Sequence, residues 1–538
     1  MTSTDHARGR PTTGLLAAGC ALFAMTLAWL ATRGPVLVDS GIFASCGWHV
    51  LQGKALYLEA WDSKPPGITL LDGLALAVGG REIESVRTME LLFGAAAALC
   101  VFRIALVALR SRAVATASAL LFAAQFYSGK VFQGGNLTEE YASVFALAGV
   151  LGAVEAGARA GRARLVAVAG AGFSFGLAAL TKEPFALSAL PWLAFVLLAP
   201  RAEGEPRAAL RVAGIWIVAG LVPLAAVLTW LASRGAAAAW WDSITYHFVA
   251  TAWDPDAPRL DANRAASASL LERVVTNWRP AWDHVLRRVP ITSLAALLGL
   301  YALGSREFLC RTRWFPVPVL AMLAADYLGT LVSPRQYGHY YMQLVGSFVL
   351  LAACGLGFVA WKLEGLRAKL PAASKRLGLV VAVVALAAVA FGVVREDLVG
   401  RFRAKFAAAR EFRSSAIATA ILAEARPGDT LWATSGNNSR YYLETGLLSP
   451  TRYLFVFDHV FVDSWLDTGA EKLARVRADL AEAPPRFVIV AEGDAGFLEH
   501  TEFFDWITRD YVRTDVVDDD PNTRGHVARL FVRREGRQ

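Results

Sequence analysis

Apolar residues in this 538-residue chain come in blocks of about twenty, long enough to cross the roughly 30 Å hydrocarbon core of a bilayer. That recurrence constrains the fold more than any other feature. Eleven such windows can be drawn, near 14–32, 84–109, 113–128, 138–157, 164–181, 184–199, 209–232, 290–305, 314–332, 341–361 and 377–394. Hydrophobic residues make up 55% of the chain and charged ones 19%, against about 45–50% and roughly 25% in soluble domains. The chain is therefore expected to be a polytopic α-helical membrane protein. Disorder, a fibrous repeat and a nucleic-acid-binding domain all fit this composition poorly.

The net charge of +8 makes the placement of the cations informative. With the N-terminus in the cytoplasm, the short loops between alternate windows hold sixteen Arg and Lys on one side, from Arg110 and Arg112 to Lys375 and Arg376. The positive-inside rule then fixes the orientation, and it accounts for the basic pI without nucleic acid. Three longer segments fall on the extracytoplasmic side of the cell membrane: about 33–83, about 233–289 and everything beyond about 395. The N-terminal apolar run reads as a retained span, because no small-x-small cleavage site leads into a soluble domain. The five cysteines show no metal-ligand spacing and cannot all pair.

Residues 1–396 are thus read as the membrane domain and 397–538 as a small extracytoplasmic α/β domain. In the latter, strand-like runs at 430–434, 453–457, 487–491, 511–517 and 527–532 alternate with helical stretches such as 463–482. The turn from Thr434 to Asn438 lacks a glycine-rich dinucleotide fingerprint, so no cofactor is expected there.

The first long loop is the richest in chemistry. Asp39 follows the first window, Tyr57 lies mid-loop, and Trp61-Asp62-Ser63-Lys64-Pro65-Pro66-Gly67 precedes another apolar stretch. Two carboxylates and an ammonium are thereby placed at the membrane surface. Separately, each has a structural use: Asp39 can cap a helix, Pro65 and Pro66 can start one, and Lys64 can snorkel. Their joint occurrence argues for more. Glu139 and Glu140 open the fourth window, where the helix dipole also favours them, and spacing does not rank the two. The sequon Asn136-Leu137-Thr138 is a weak motif. Lys182, between windows five and six, is a snorkelling residue or a phosphate ligand. Arg335, His339 and Tyr340 lie in the hairpin before window ten, where an aromatic belt and a lipid-phosphate site are both compatible with the residues. Asp326, inside window nine, needs a cavity or a partner. The loop 233–289 mixes Trp, Asp and His, which suits interfacial helices better than a sugar subsite.

Taken together, the Asp39 element and the Lys64-Pro65-Pro66 element resemble the first loop of GT-C glycosyltransferases of family 39, the protein O-mannosyltransferase and aminoarabinose-transferase type. Many members have Asp-Glu where this chain has Asp39-Ser40, which leaves Asp39 as the sole carboxylate at that position. The resemblance implies a membrane enzyme that moves a sugar from a polyprenyl-phosphate donor to an extracytoplasmic glycan, lipid or protein. It implies Asp39 as general base, with inversion at the anomeric carbon. For an acceptor that is itself a phosphate, Asp39 would position rather than deprotonate. Lys64, Lys182, Arg335, His339 and Tyr340 would meet the donor phosphate, and Asp62, Glu139, Glu140 and Tyr57 would contact substrate. No cofactor is expected, although Asp39, Asp62, Glu139 and Glu140 offer oxygen ligands to a divalent cation. The rivals are a flippase for lipid-linked sugars, which would show repeated halves not visible here, and a GT-C polymerase or ligase.

Overall fold

The computed structural model describes residues 3–33, 38–129, 131–198, 206–252, 270–332, 337–367, 415–454, 467–491, 502–519 and 527–534. Fifteen α-helices of the membrane part lie among these. Six stretches are long and apolar enough to span a bilayer: Thr12–Thr32 of α1 (Ser3–Thr32), α4 (Ile83–Leu109), α6 (Thr138–Ala158), α7 (Gly161–Thr181), Ala209–Ser233 of α9 (Pro206–Ser233), and Gly338–Gly365, which includes most of α15 (Met342–Arg367). Windows three, six and nine appear as the shorter apolar helices α5 (Arg112–Phe126), α8 (Ala186–Leu198) and α14 (Pro316–Thr330). The eighth is α12 (Pro290–Ala302), bent by 116° from the preceding segment Leu271–Leu286. Window 377–394 and the expected domain boundary near 397 lie outside the described residues.

Burial sorts these helices. α6 and α15 are covered along most of their length by the hydrophobic core, whereas α9 turns residues such as Leu210 and Val218 outward. An outward apolar face costs little where the surrounding medium is lipid. Asp326 on α14 is fully buried and accepts hydrogen bonds from Ser188 of α8 and Ser347 of α15, each at 2.5 Å. This intramembrane carboxylate therefore has partners, and it ties three helices together.

The first long loop folds into α2 (Val38–Leu51) and α3 (Pro66–Gly79). Pro66 occupies the first turn of α3, where a missing N–H costs nothing. α2 and α3 approach closely at Gly47, where a Cβ would stand 2.7 Å from the Gly73 amide nitrogen. Gly67 lies equally tight against the end of α7, where a Cβ would stand 2.6 Å from Thr181 Oγ1 and 2.8 Å from the Leu180 carbonyl oxygen. That contact brings Lys64-Pro65-Pro66 beside Lys182. In the loop 233–289 the described elements are helical, α10 (Ala237–Ala252) and α11 (Leu270–Ala281).

The tail forms a four-stranded sheet in the order β1-β2-β4-β3, from β1 (Leu431–Ala433), β2 (Phe487–Ala491), β3 (Tyr511–Asp519) and β4 (Val527–Arg533). β1 and β2 are parallel, and β4 runs antiparallel to both β2 and β3. Four of the five expected strands are present. Of the fifth, Tyr453 and Leu454 are not strand and the remainder lies outside the described residues. The period-two alternation gives the sheet two apolar faces. Leu431, Ala433, Phe487, Ile489 and Leu530 pack with Ile42, Phe43 and Ile68 of the loop helices. Trp432, Val488, Val490 and Phe531 pack instead under the helices Asp467–Glu482 and Glu502–Asp510.

The tail is also hydrogen-bonded to α2. Ser45 Oγ donates to the Ser439 carbonyl at 2.7 Å and Trp48 Nε1 to that of Gly446 at 3.3 Å. His49, fully buried, has Nδ1 2.8 Å from its own helix at Ser45 O, while its Nε2 accepts from the Ser449 amide at 2.9 Å. Only the neutral ring protonated on Nδ1 satisfies both partners. Burial, with Lys54 adding to it and the Ser45 carbonyl opposing, pushes the His49 pKa down to about 4 from the ordinary 6.5. A lowered histidine pKa means that its share of stability is complete above about 6.5 and is lost as the pH falls from there towards 4. The protection of the tail-facing amides of α2 against hydrogen exchange in the full chain, measured relative to their intrinsic rates, should therefore fall as the pH drops from 6.5 to 4. The acid sensitivity should shrink in His49→Gln; an unchanged profile in that variant would assign it to the carboxylates instead.

Candidate functional site

Five elements that are distant in sequence converge at the end of the bundle that carries α2, α3 and the tail. Asp39 sits half-buried in the first turn of α2. Lys64 lies half-buried on the strap before α3, with Asp62 beside it. Glu139 and Glu140 open α6, Lys182 closes α7, and His339 and Tyr340 form the 3-10 turn Gly338–Tyr341 that leads into α15. The charges sense one another: Asp39 acts on Asp62 and His339, and Lys64 acts on Asp62, Glu183 and His339.

The strongest contact is an ion pair between Lys182 Nζ and Glu139 Oε1 at 2.9 Å, with side-chain exposures of 12% and 3%. Lys182 Nζ also stands 5.0 Å from the centre of the Tyr340 ring, and Thr138 donates to the other oxygen of Glu139 at 2.8 Å. Burial opposes the Lys182 charge, yet Glu139 outweighs it and holds the ammonium above the usual lysine pKa. A snorkelling lysine would reach for water; this one is enclosed. His339 is buried, with Nδ1 2.7 Å from Gln133 Oε1.

Asp62 is 2% exposed, and burial raises its pKa to about 6 against the pull of Lys64. One oxygen accepts from the Lys64 amide at 3.3 Å, its carbonyl accepts from Ser243 of α10 at 2.6 Å, and Oδ2 has no hydrogen-bond partner among the described residues. Tyr57, expected to touch substrate, is instead buried at 1% exposure, and its hydroxyl donates to the Lys64 carbonyl at 2.8 Å. It also adopts φ +67, a left-handed conformation that costs an L-residue on the order of 1–3 kcal/mol unless its surroundings enforce it. Arg335 lies outside the described residues.

The structure separates the two glutamates that spacing left unranked. Successive helix residues differ by about 100° in direction, and Glu140 points away from Glu139 into a second acidic knot. There Asn136 donates its amide to Glu140 at 3.1 Å and to Glu90, its Nδ2 to Asp72 at 2.8 Å, and accepts from the Tyr141 hydroxyl at 3.1 Å. Ser40, next to Asp39, joins this knot by donating to the Gly135 carbonyl at 2.7 Å. Asn136 is 2% exposed with its Nδ2 engaged, so the sequon is sealed off. The knot depends on a turn of four consecutive positive-φ residues, Gln133 to Asn136, and a Cβ on Gly135 would overlap Glu90 Oε1. Glu90, Asp72 and Gln133 went unnoticed in the sequence; Gly134-Gly135-Asn136 was the available sign of an unusual turn. Among the described residues no three His, Cys, Asp or Glu side chains are grouped to hold a metal ion.

The chain has relatives in sequence and in fold. Residues 63–232 match the family of dolichyl-phosphate-mannose-protein mannosyltransferases. In overall structure the chain is similar to ArnT from Cupriavidus metallidurans bound to undecaprenyl phosphate, with TM-score 0.55 and 15% identity over 96% of this chain and 97% of that one. The apo form of the same ArnT gives TM-score 0.58 and 14% identity over 98% of each chain. The chain has the GT-C glycosyltransferase fold. No curated protein is similar enough in sequence to match.

Removing one member of a buried pair strands the other, at a cost of about 3–5 kcal/mol. Glu139→Gln and Lys182→Met should each lower the thermal midpoint of the full chain in nanodiscs, and the double variant Glu139→Gln/Lys182→Met should recover most of the loss. Additive losses in that cycle would show that the two groups are not coupled.

Proposed function

We propose that the protein transfers a sugar from a polyprenyl-phosphate donor to an acceptor on the extracytoplasmic side of the membrane. The observation that carries this reading is the convergence of Asp39, Lys64, Glu139, Lys182 and His339 at one end of a GT-C bundle. The family match over residues 63–232 and the likeness to an ArnT bound to undecaprenyl phosphate support the donor class.

In this mechanism the lipid tail stays in the bilayer and the donor phosphate meets Lys64, with Lys182, His339, Tyr340 and Arg335 around it. The cations among them, Lys64, Lys182 and Arg335, stabilise the charge that grows on the departing phosphate, an electrostatic effect that is often the largest in catalysis. Asp39 removes the proton from the acceptor hydroxyl as that oxygen attacks the anomeric carbon from the opposite face, so the configuration inverts. Asp62 and Glu139 contact the polar part of the substrates and balance the site's positive charge. No metal takes part.

The test is transfer of radiolabelled sugar from polyprenyl phosphate by membranes carrying the full chain. Asp39→Asn should lower the rate by about 10²–10⁴-fold, the range for loss of a general base, while carrier binding persists. Transfer at the wild-type rate in Asp39→Asn removes Asp39 from the mechanism. EDTA should leave the rate unchanged; a loss restored by Mg²⁺ or Mn²⁺ would require a cation in the site.

A further inference from the structure

Lys64 is built into a strap whose ends are held by other parts of the molecule. Its amide donates to Asp62, and its carbonyl accepts from the Tyr57 hydroxyl. Tyr57 in turn is fixed at each of its polar groups. Its amide donates to the Ala60 carbonyl at 2.8 Å, and its own carbonyl accepts from the Arg452 guanidinium, which comes from the tail 395 residues later. Arg452 closes the ring with its backbone, since its carbonyl accepts from the Trp61 amide at 2.8 Å. The ring of Tyr453 packs against Trp61 at 5.5 Å and lies 5.6 Å under the Arg452 guanidinium.

These contacts explain why a tyrosine is held at φ +67. A left-handed residue relaxes unless its neighbours over-determine it, and here the tail supplies the partner for the carbonyl that this conformation presents. The cost is incurred one hydrogen bond away from the backbone of Lys64. A lysine side chain is long and flexible, so the place from which it starts governs what its ammonium can reach.

We propose that Arg452 is a positioning residue for Lys64, acting through Tyr57, so that the tail domain sets the reach of the donor-phosphate lysine. This rests on the assignment of Lys64 to the donor phosphate made above. Arg452 touches no substrate; it keeps the Tyr57 turn closed, and the turn keeps Lys64 in place.

The experiment compares binding of undecaprenyl phosphate with that of undecaprenol, the same lipid without the charge, to the full chain in nanodiscs. Arg452→Ala and Tyr57→Phe should each weaken the phosphate about tenfold, the worth of roughly one charge-assisted hydrogen bond, and leave the alcohol unchanged. Arg452→Lys, which still offers a donor to the Tyr57 carbonyl, should recover most of the loss. Added to Lys64→Ala, Arg452→Ala should have no further effect, because it acts through that lysine. Arg475→Ala, at an exposed pair with Asp479 on the tail, should match wild type.

Equal weakening of phosphate and alcohol would reduce Arg452 to general glue and overturn the proposal. So would a further loss when Arg452→Ala is added to Lys64→Ala. If Lys64→Ala loses the phosphate preference while Arg452→Ala and Tyr57→Phe keep it, the positioning role fails and the donor site stands. If Lys64→Ala itself binds undecaprenyl phosphate as wild type does, the donor-site assignment fails and the positioning role falls with it. Tyr57→Phe removes a single oxygen and tests the link to Lys64, and where Arg452→Ala does not fold, Arg452→Gln tests the link to the tail by the same phosphate-against-alcohol comparison.

Discussion

Charge at the rim of an apolar bundle must be held by charge, and the Lys182–Glu139 pair is where this chain meets that requirement. Taking either group from water alone is expensive, and the return comes only with tight geometry and further hydrogen bonds. Thr138 supplies one and the Tyr340 ring adds its face. The pair joins the end of α7 to the start of α6 and draws the α15 turn alongside. Once those three ends are fixed, the tight seat of Gly67 against Thr181 determines where the Lys64 strap can lie. The rest of the polar cluster follows from that placement.

The two acidic groups of this region have opposite characters. Around Glu139 the carboxylate faces the Lys182 ammonium, and the result is an enclosed ion pair. Around Asn136 three carboxylates share the donors of one amide side chain and its backbone, with Ser40 and Tyr141 completing the set. The second group has no evident chemical task. It braces the turn behind α2, and thereby the backbone next to Asp39.

Much of this was legible in the sequence, because the features concerned are local or periodic. Apolar windows mark helices wherever lipid is the solvent, and strand alternation marked four tail strands. Asp39 and Lys64 stood out because polar residues that topology does not need are rare in such a chain. What stayed hidden depends on contacts between distant segments. Whether Glu139 or Glu140 faces Lys182 turns on the rotation of α6, which one residue of spacing cannot reveal. Arg452 looks like any tail arginine until the Tyr57 carbonyl is found against it, and Tyr57 gives no sign in the sequence of its left-handed backbone. Asp326 was visible as an anomaly, but its two serine partners lie 138 and 21 residues away.

The two-faced sheet has a consequence for what the tail is. One apolar face is roofed by the tail's helices Asp467–Glu482 and Glu502–Asp510, but the other, with Leu431, Phe487, Ile489 and Leu530, is shared between the tail's helices Ala416–Glu424 and Arg440–Thr445 and residues of the bundle such as Ile42, Phe43 and Ile68. Cut from the bundle, the tail would expose to water the part of that face now covered by Ile42, Phe43 and Ile68, at a cost in solubility. By sequence alone it reads as a small α/β domain. Physically it is the lid of a shared interior, and a change in either the tail or the loop beneath it is felt by both.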